Sequence, residues 1–173
     1  RKKHIFVTGP PVVLAAVFVW ANWPLPAALP STARADRVVV SKARRTLELF
    51  HGGQLLRSYT VALGGNPVGH KQREGDGRTP EGRYTLDYRN PASICHLSLH
   101  VSYPSPADRT RATAARVNPG GFIMVHGLRN GLGFLGRLHR FIDWTNGCIA
   151  VTNPEIEELA RVVPDGTPIL IQP

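Results

Sequence analysis

The chain has 173 residues, 42% of them hydrophobic, enough for one domain of ordinary size with a sizeable core. Its formal net charge is +9, but four of the 21 basic residues and none of the 12 acidic ones precede Asp36, so residues 36–173 carry 17 against 12, a net of +5. Those basic groups are scattered, without the clustered stripe and stacking aromatics of a nucleic-acid site, which tells against that class of partner.

The first predicted element is a leader. Arg1-Lys2-Lys3-His4 is followed by an apolar run from Val12 to Trp20, then Pro24, Pro26 and Pro30, and the segment leaves through Ala33-Arg34-Ala35. A basic start, an apolar middle and a small-x-small exit are the layout of a secretory signal peptide, with cleavage expected after Ala35. Residues 1–35 are thus expected to be a signal peptide or, if uncleaved, an N-terminal membrane anchor. Prolines cut the apolar stretch short of a comfortable ~20-residue span, which favours cleavage. The expected location is exported, in the periplasm or cell envelope, with membrane contact only through that segment. Residues 36–173 are expected to form the functional domain.

That domain reads as β-dominated with a few short helices. Arg37–Ser41, Thr46–Phe50 and Gln54–Leu63 have the β-branched and alternating character of strands, with turns at Lys42–Arg45 and His51–Gly53. A long loop with six glycines spans Gly64–Gly82. Arg78 and Glu81 within it suggest a turn held by their own ion pair, and the loop lacks the lysine and following helix of a phosphate cradle. Strands are expected from Tyr84 and over Ser93–Tyr103, a short helix over Asp108–Ala115, and a strand over Phe122–His126. A helical turn is expected around Leu135–Phe141. Asn153 should cap a helix with Pro154 at its first position, Ile156, Leu159, Ala160 and Val163 sharing one face, and Pro168–Ile171 closes the domain as a strand.

The chemistry-bearing residues gather late. His126-Gly127 ends the strand from Phe122, and Thr145-Asn146-Gly147-Cys148-Ile149 places its cysteine 22 residues after the histidine. A thiolate is a strong nucleophile, and an imidazole beside the thiol can take its proton, so Cys148 and His126 pair as nucleophile and base. Gly147 permits a tight backbone that turns amide N–H groups to one point, where an oxyanion would form. Thiol alkylation below the free-thiol pKa of ~8.5 is the expected signature. The bland alternatives are a buried cysteine with a core histidine, or a Cys95–Cys148 disulfide, since exported proteins tend to pair their cysteines. Cys95 itself reads as a small buried strand residue. His96, His100, His126, His139 and Cys148 lack the paired close spacing of zinc ligands, so no metal is expected.

These motifs resemble the L,D-transpeptidase catalytic domain, the YkuD-type family. The likeness rests on His126-Gly127, Thr145-Asn146-Gly147-Cys148-Ile149, Val61-Ala62-Leu63-Gly64, the stretch from Gly75 through Gly82 to Tyr84, and Gly120-Gly121-Phe122-Ile123. The resemblance implies a β-sandwich-like domain in which Cys148 attacks the carbonyl after an L-centre in a peptidoglycan stem peptide. It implies no cofactor, a backbone carbonyl such as that of Gly127 orienting the other ring nitrogen of His126, and oxyanion donors at Gly147 and Cys148. Substrate contacts are expected from Thr145, Asn146, Trp144 and Tyr103, with Tyr103 and Trp144 read equally as cleft walls or core aromatics. Many members carry His where Asn146 stands and Arg where Ala150 stands. Arg129, Arg137 and Arg140, between the catalytic pair, are the candidates to replace that cation, and His139 has no counterpart. The Thr-Asn-Gly-Cys variant, with Tyr103-Pro104 and Asp143-Trp144, resembles a sub-branch that includes wall-editing hydrolases. The leading expectation is a cysteine-dependent L,D-transpeptidase acting through a thioester. Its alternatives are an L,D-carboxypeptidase or amidase cleaving cross-links, or a non-catalytic cell-wall-binding domain.

Overall fold

The computed structural model describes residues 10–24 and 27–173. The basic opening Arg1–His4 and Pro26 lie outside the described residues. Helix α1 spans Pro10–Ala21, and among the described residues no helix is long and apolar enough to cross a membrane. Residues 27–35 run along the domain: Leu29 N–H donates to Glu158 at 2.8 Å, Ala35 N–H donates to the Val162 carbonyl at 2.8 Å, and the Ala35 side chain is buried.

Among the described residues the body is a single curled sheet of eight strands in the order β3-β2-β1-β8-β4-β5-β6-β7. The strands are β1 (Arg37–Ser41), β2 (Thr46–His51), β3 (Gln54–Thr60), β4 (Gly82–Asn90), β5 (Ser98–Val101), β6 (Met124–His126), β7 (Ile149–Ala150) and β8 (Thr167–Gln172). Alternation explains the core face. Val38 and Val40 of β1, Leu47 and Leu49 of β2, and Ile169 and Ile171 of β8 are buried, while their neighbours, apart from the buried Ser41, are exposed or half-buried. The last strand is central: β8 lies parallel to β1, with Val38 opposite Ile169, and antiparallel to β4. Beyond β3 the chain returns to the far edge, where Ala62 and Ala150 exchange hydrogen bonds at 2.9 and 2.8 Å. That exchange closes the curl and lays Leu63 and Gly64 beside the Thr145 turn.

Helix α2 (Pro106–Ala114) begins two residues before its expected start, because Ser105 accepts from Asp108 N–H and Asp108 accepts from Ser105 N–H. Helix α3 (Asn153–Val162) is capped by Thr152 rather than Asn153: Thr152 N–H donates to Glu155 at 2.9 Å. The freed Asn153 carboxamide oxygen accepts from Leu128 N–H at 2.8 Å and so holds the chain just after His126-Gly127. Ile156, Leu159 and Val162 face the core. Two other expectations fail locally. Residues before Ser98 form turns, so the strand is confined to Ser98–Val101 and Cys95 sits half-buried in a turn, its N–H donating to Ser93 Oγ. Glu81 pairs with the buried Lys42 at 2.8 Å instead of with Arg78.

Candidate active site

Strands β6 and β7 run parallel, Val125 opposite Ile149 and His126 opposite Ala150. Cys148, one residue before β7, therefore comes level with Met124. Its Sγ accepts from Met124 N–H at 3.4 Å and donates to the Phe122 carbonyl at 3.6 Å. His126 closes β6 with its ring buried, Nδ1 lying 2.6 Å from the Gly127 carbonyl oxygen. The carbonyl can only accept, so Nδ1 carries the proton and Nε2 is left as the basic nitrogen. Gly127 has a steric reason as well: a Cβ there would stand 2.8 Å from Asn153 Oδ1.

The turn that delivers the cysteine is shaped by Thr145. Its buried hydroxyl donates to the Cys148 carbonyl at 2.7 Å and accepts from Gly147 N–H at 3.1 Å. Thr145 is thus a clamp on the turn rather than a surface for ligand, and the Gly147 amide is engaged within the turn. Of the two amides expected to meet an oxyanion, that of Cys148 is the one without a hydrogen-bond partner among the described residues. Gly147 has φ +123° and its missing Cβ would lie 2.5 Å from the Arg78 carbonyl oxygen, so no L side chain fits there. The glycine-rich loop is consequently the backing of the cysteine turn. Asp143 fastens the same turn from the other side: its Oδ1 accepts from Leu63 N–H at 2.9 Å and its Oδ2 from Arg45 at 2.8 and 3.1 Å.

Electrostatics place both partners in their neutral forms. Burial pushes the Cys148 thiol up, with the Met124 N–H opposing, and burial holds His126 below the usual imidazole range against the pull of its Gly127 bond. The expectation of an imidazole-lowered thiol therefore does not hold for the free protein. Desolvation outweighs any pairing, and the thiol faces Met124 and Phe122 rather than the imidazole.

Trp144 does wall the site, its ring edge-on to His126 at 5.7 Å between centroids. Tyr103 does not. It is buried edge-on to Tyr84 and His70, and its hydroxyl donates to the Pro119 carbonyl at 3.0 Å. Asn146 is exposed in the turn. Ala150 is fully buried in the ladder between Ala62 and His126, and a long cation has no place there. Of the three candidate arginines, Arg140 pairs with Glu155 and Arg137 donates to the Trp20 carbonyl, while Arg129 makes no side-chain hydrogen bond or ion pair among the described residues. Sequence reasoning missed His139. It is buried, edge-on to Trp144 at 6.3 Å, and its Nδ1 accepts from Trp144 Nε1–H at 3.4 Å. Nothing in the local pattern of residues 127–144 marked it, since its importance comes from the 3₁₀ turns of Gly133–Phe141 folding back over Trp144. Both cysteines are free. Among the described residues no cluster of His, Cys, Asp and Glu has the grouping of a metal site.

Comparison with known proteins bears on the family and the fold. Residues 35–171 match the family of the L,D-transpeptidase catalytic domain. A curated relative, named "Putative L,D-transpeptidase YafK" from Escherichia coli (strain K12), is 29% identical over 133 residues, covering 73% of this chain and 46% of its own. The chain thus spans about half the length of the curated relatives it matches. The helical cell shape determining protein Pgp2 of Campylobacter jejuni (K307A mutant) superposes with a TM-score of 0.61 at 24% identity, over 81% of this chain and 47% of that one. An L,D-transpeptidase from Mycobacterium smegmatis superposes with a TM-score of 0.53 at 17% identity, over 80% and 59%. Both likenesses are of fold. The chain belongs to the L,D-transpeptidase catalytic-domain family.

Proposed function

We propose that Cys148 and His126 make this member of the family a cysteine acyltransferase of peptidoglycan, an L,D-transpeptidase that works through a thioester. The observation that carries the reading is the parallel pairing of β6 and β7, which brings the half-buried Cys148 level with the strand that ends in His126, whose Nδ1 is held on the Gly127 carbonyl. His126 Nε2 takes the Sγ proton as sulfur bonds to the carbonyl carbon after an L-centre of a stem peptide. The oxygen gains the displaced electron pair and meets the Cys148 N–H. Collapse breaks the C–N bond, and His126 returns the proton to the leaving amine. An amine acceptor then opens the thioester to form a cross-link.

The starting pair is neutral, which suits this sequence of events. A buried imidazole with a lowered pKa stays unprotonated and available as base, and charge separates only as the carbonyl is attacked. A substrate of this kind places the domain at the cell envelope, with the leader before Asp36 as the export signal. Opening of the thioester by water in place of an amine is the second reading, favoured by the partial exposure of Cys148. Mass spectrometry of defined muropeptides incubated with the protein tests both. A covalent adduct on Cys148 and a new peptide cross-link are expected. Shortened or uncoupled stem peptides without cross-links would move the assignment to a hydrolase, and no adduct and no change would leave a wall-binding domain.

A further inference from the structure

Among the described residues four that are not glycine have a positive φ: Arg45 at 51°, His96 at 66°, Arg116 at 55° and Phe122 at 52°. Three of them have an account in the fold. Arg45 sits in the turn between β1 and β2. His96 lies in the turns before β5, its N–H donating to Asn130 at 2.9 Å, and Arg116 follows α2, its N–H donating to the Thr113 carbonyl at 3.0 Å. Phe122 differs from these. It leads into β6, and its side chain is 80% exposed.

In the left-handed region Cβ crowds its own backbone, a cost that glycine escapes and a bulky side chain bears in full. Burial of the ring does not offset that cost, because the ring stands in solvent. Packing therefore gives no reason for an aromatic residue at this point, and strain of this kind gathers where a ligand is held. The position is specific. The Phe122 carbonyl accepts from Cys148 Sγ at 3.6 Å, so the ring is carried by a residue whose backbone touches the nucleophile. The next residue, Ile123, is buried, and its Cδ1 would stand 3.2 Å from a Cβ on Gly147, which pins this backbone against the cysteine turn. Along the chain the sulfur is level with Met124, with His126 and its neighbour Trp144 to one side and Phe122 to the other.

We propose that Phe122 is a specificity-determining residue of this site: its exposed ring is an apolar platform for the methyl and methylene groups of the peptide whose carbonyl Cys148 attacks, on the flank of the sulfur away from His126. The platform rests on the acyltransferase reading, which supplies a peptide beside the sulfur. It is presented in advance, since Ile123 and the cysteine turn already hold the backbone and little ordering remains to be done when the peptide arrives. The contact is hydrophobic and has no need of aromaticity. Leucine should therefore serve nearly as well as phenylalanine, and alanine or glycine should not.

Three substitutions separate the ring from the backbone that carries it. Phe122→Gly removes the ring and relieves the strain, Phe122→Ala removes the ring and keeps the strain, and Phe122→Leu keeps apolar bulk. In thermal melts of the full chain the Gly variant is expected at or above wild type and above the Ala variant, since no packing is lost. Isothermal titration of a stem tetrapeptide into the chain with Cys148→Ala should then show Gly and Ala each weakening binding about 10-fold, and Leu by no more than about 3-fold. With defined muropeptides and intact Cys148, KM should rise by the same factor as Kd while kcat changes much less. Unchanged binding in the Gly and Ala variants overturns the platform. So does a Gly variant that melts well below wild type, which would make the ring a packing residue, or a loss confined to one of the two, which would place the effect in the backbone. The two readings fail differently. Phe122-dependent binding with no adduct on wild-type Cys148 would sink the acyltransferase and keep the platform, whereas an adduct formed equally well by wild type and Phe122→Gly at every peptide concentration would do the reverse.

Discussion

Asp143 offers a clean way to separate what holds the cysteine turn from what merely decorates it. Its carboxylate does two things: one oxygen accepts from the N–H of fully buried Leu63, and the other pairs with Arg45, whose side chain is 40% exposed. Truncation in Asp143→Ala strands a buried amide, costing ~1–3 kcal/mol, and also removes the ion pair, worth only ~0–1 kcal/mol at that exposure. The expected loss is about 2–3 kcal/mol in urea denaturation. Asp143→Asn keeps a carbonyl oxygen for Leu63 and gives up only the charge, so about 0.5–1 kcal/mol is expected. Activity should follow the same order. Trp144 and Thr145 come directly after the latch, and displacing the thiol by a fraction of an ångström should slow acylation ~10-fold or more in the Ala variant. If Asn proved as damaging as Ala on both measurements, the ion pair and not the Leu63 amide would be the working contact, and the latch as described would be refuted.

Four further outcomes are expected. Cys148→Ala should abolish turnover and leave the melting temperature nearly unchanged, while Cys95→Ser keeps most activity; the reverse pattern in a muropeptide assay would reassign the nucleophile. His126→Asn should slow acylation ~10²–10⁴-fold by single-turnover kinetics, the range for a positioned base, and an unchanged rate would remove it from the mechanism. Alkylation of Cys148 in the free protein should still be rising above pH 9, because burial pushes the thiol up, and a plateau below pH 8 would contradict the neutral pair. Stability should fall in two acid steps. His139 sits near 4 when folded against ~6.5 unfolded, so the unfolded chain takes the extra proton between those values, and stability present above pH ~6.5 declines towards pH 4 by ~3 kcal/mol. At Asp76 burial is outweighed by N–H donors from Arg78 and Gln72, the Lys71 ammonium and Arg73 N–H, which hold the carboxyl near 2, so its contribution is kept above pH ~4 and lost towards pH 2. Flat urea stability from pH 6.5 to 4.5 would refute the first step.

Strands whose alternation is local were legible in the sequence. β1, β2 and β8 appear where the period-2 pattern puts them, because one face of each is buried and a one-residue slip would expose it. What alternation cannot say is which strand lies beside which. The last strand enters the middle of the sheet and the segment after β3 seals its far edge, both consequences of long-range closure. β7 is two residues long, too short for any periodic signal, yet it is the element that lays the cysteine turn along the strand ending in His126. Caps went astray for a related reason. Thr152 and Asn153 are both good caps, and the choice between them was made by Leu128, an amide 25 residues away that needed Asn153 for itself.

The same division runs through the candidate site. Cys148, His126, Gly127 and Gly147 could be nominated from the sequence because each proposed role demands a particular residue type: a thiol, an imidazole, a carbonyl within reach of Nδ1, and a position where no Cβ fits. Thr145 and Tyr103 were misread because a hydroxyl or an aromatic ring serves turns and cores as readily as ligands, and only their partners tell which. His139 was invisible for the opposite reason, since a histidine in an irregular connection looks like surface until the connection is folded. Residues 128–144 do not pack as a sheet or a regular helix, so neither alternation nor a 3.6-residue stripe could expose their inner face. Yet this stretch carries Arg129, His139 and Trp144, which line a cleft next to His126. In the proposed reaction the strands set the position of the nucleophile and base, and the irregular connection walls the approach to them. Exchanging residues 128–142 alone, with Asp143 and Trp144 kept to hold the cysteine turn, should therefore change substrate preference while leaving the reactivity of Cys148 towards a small alkylating agent as it was.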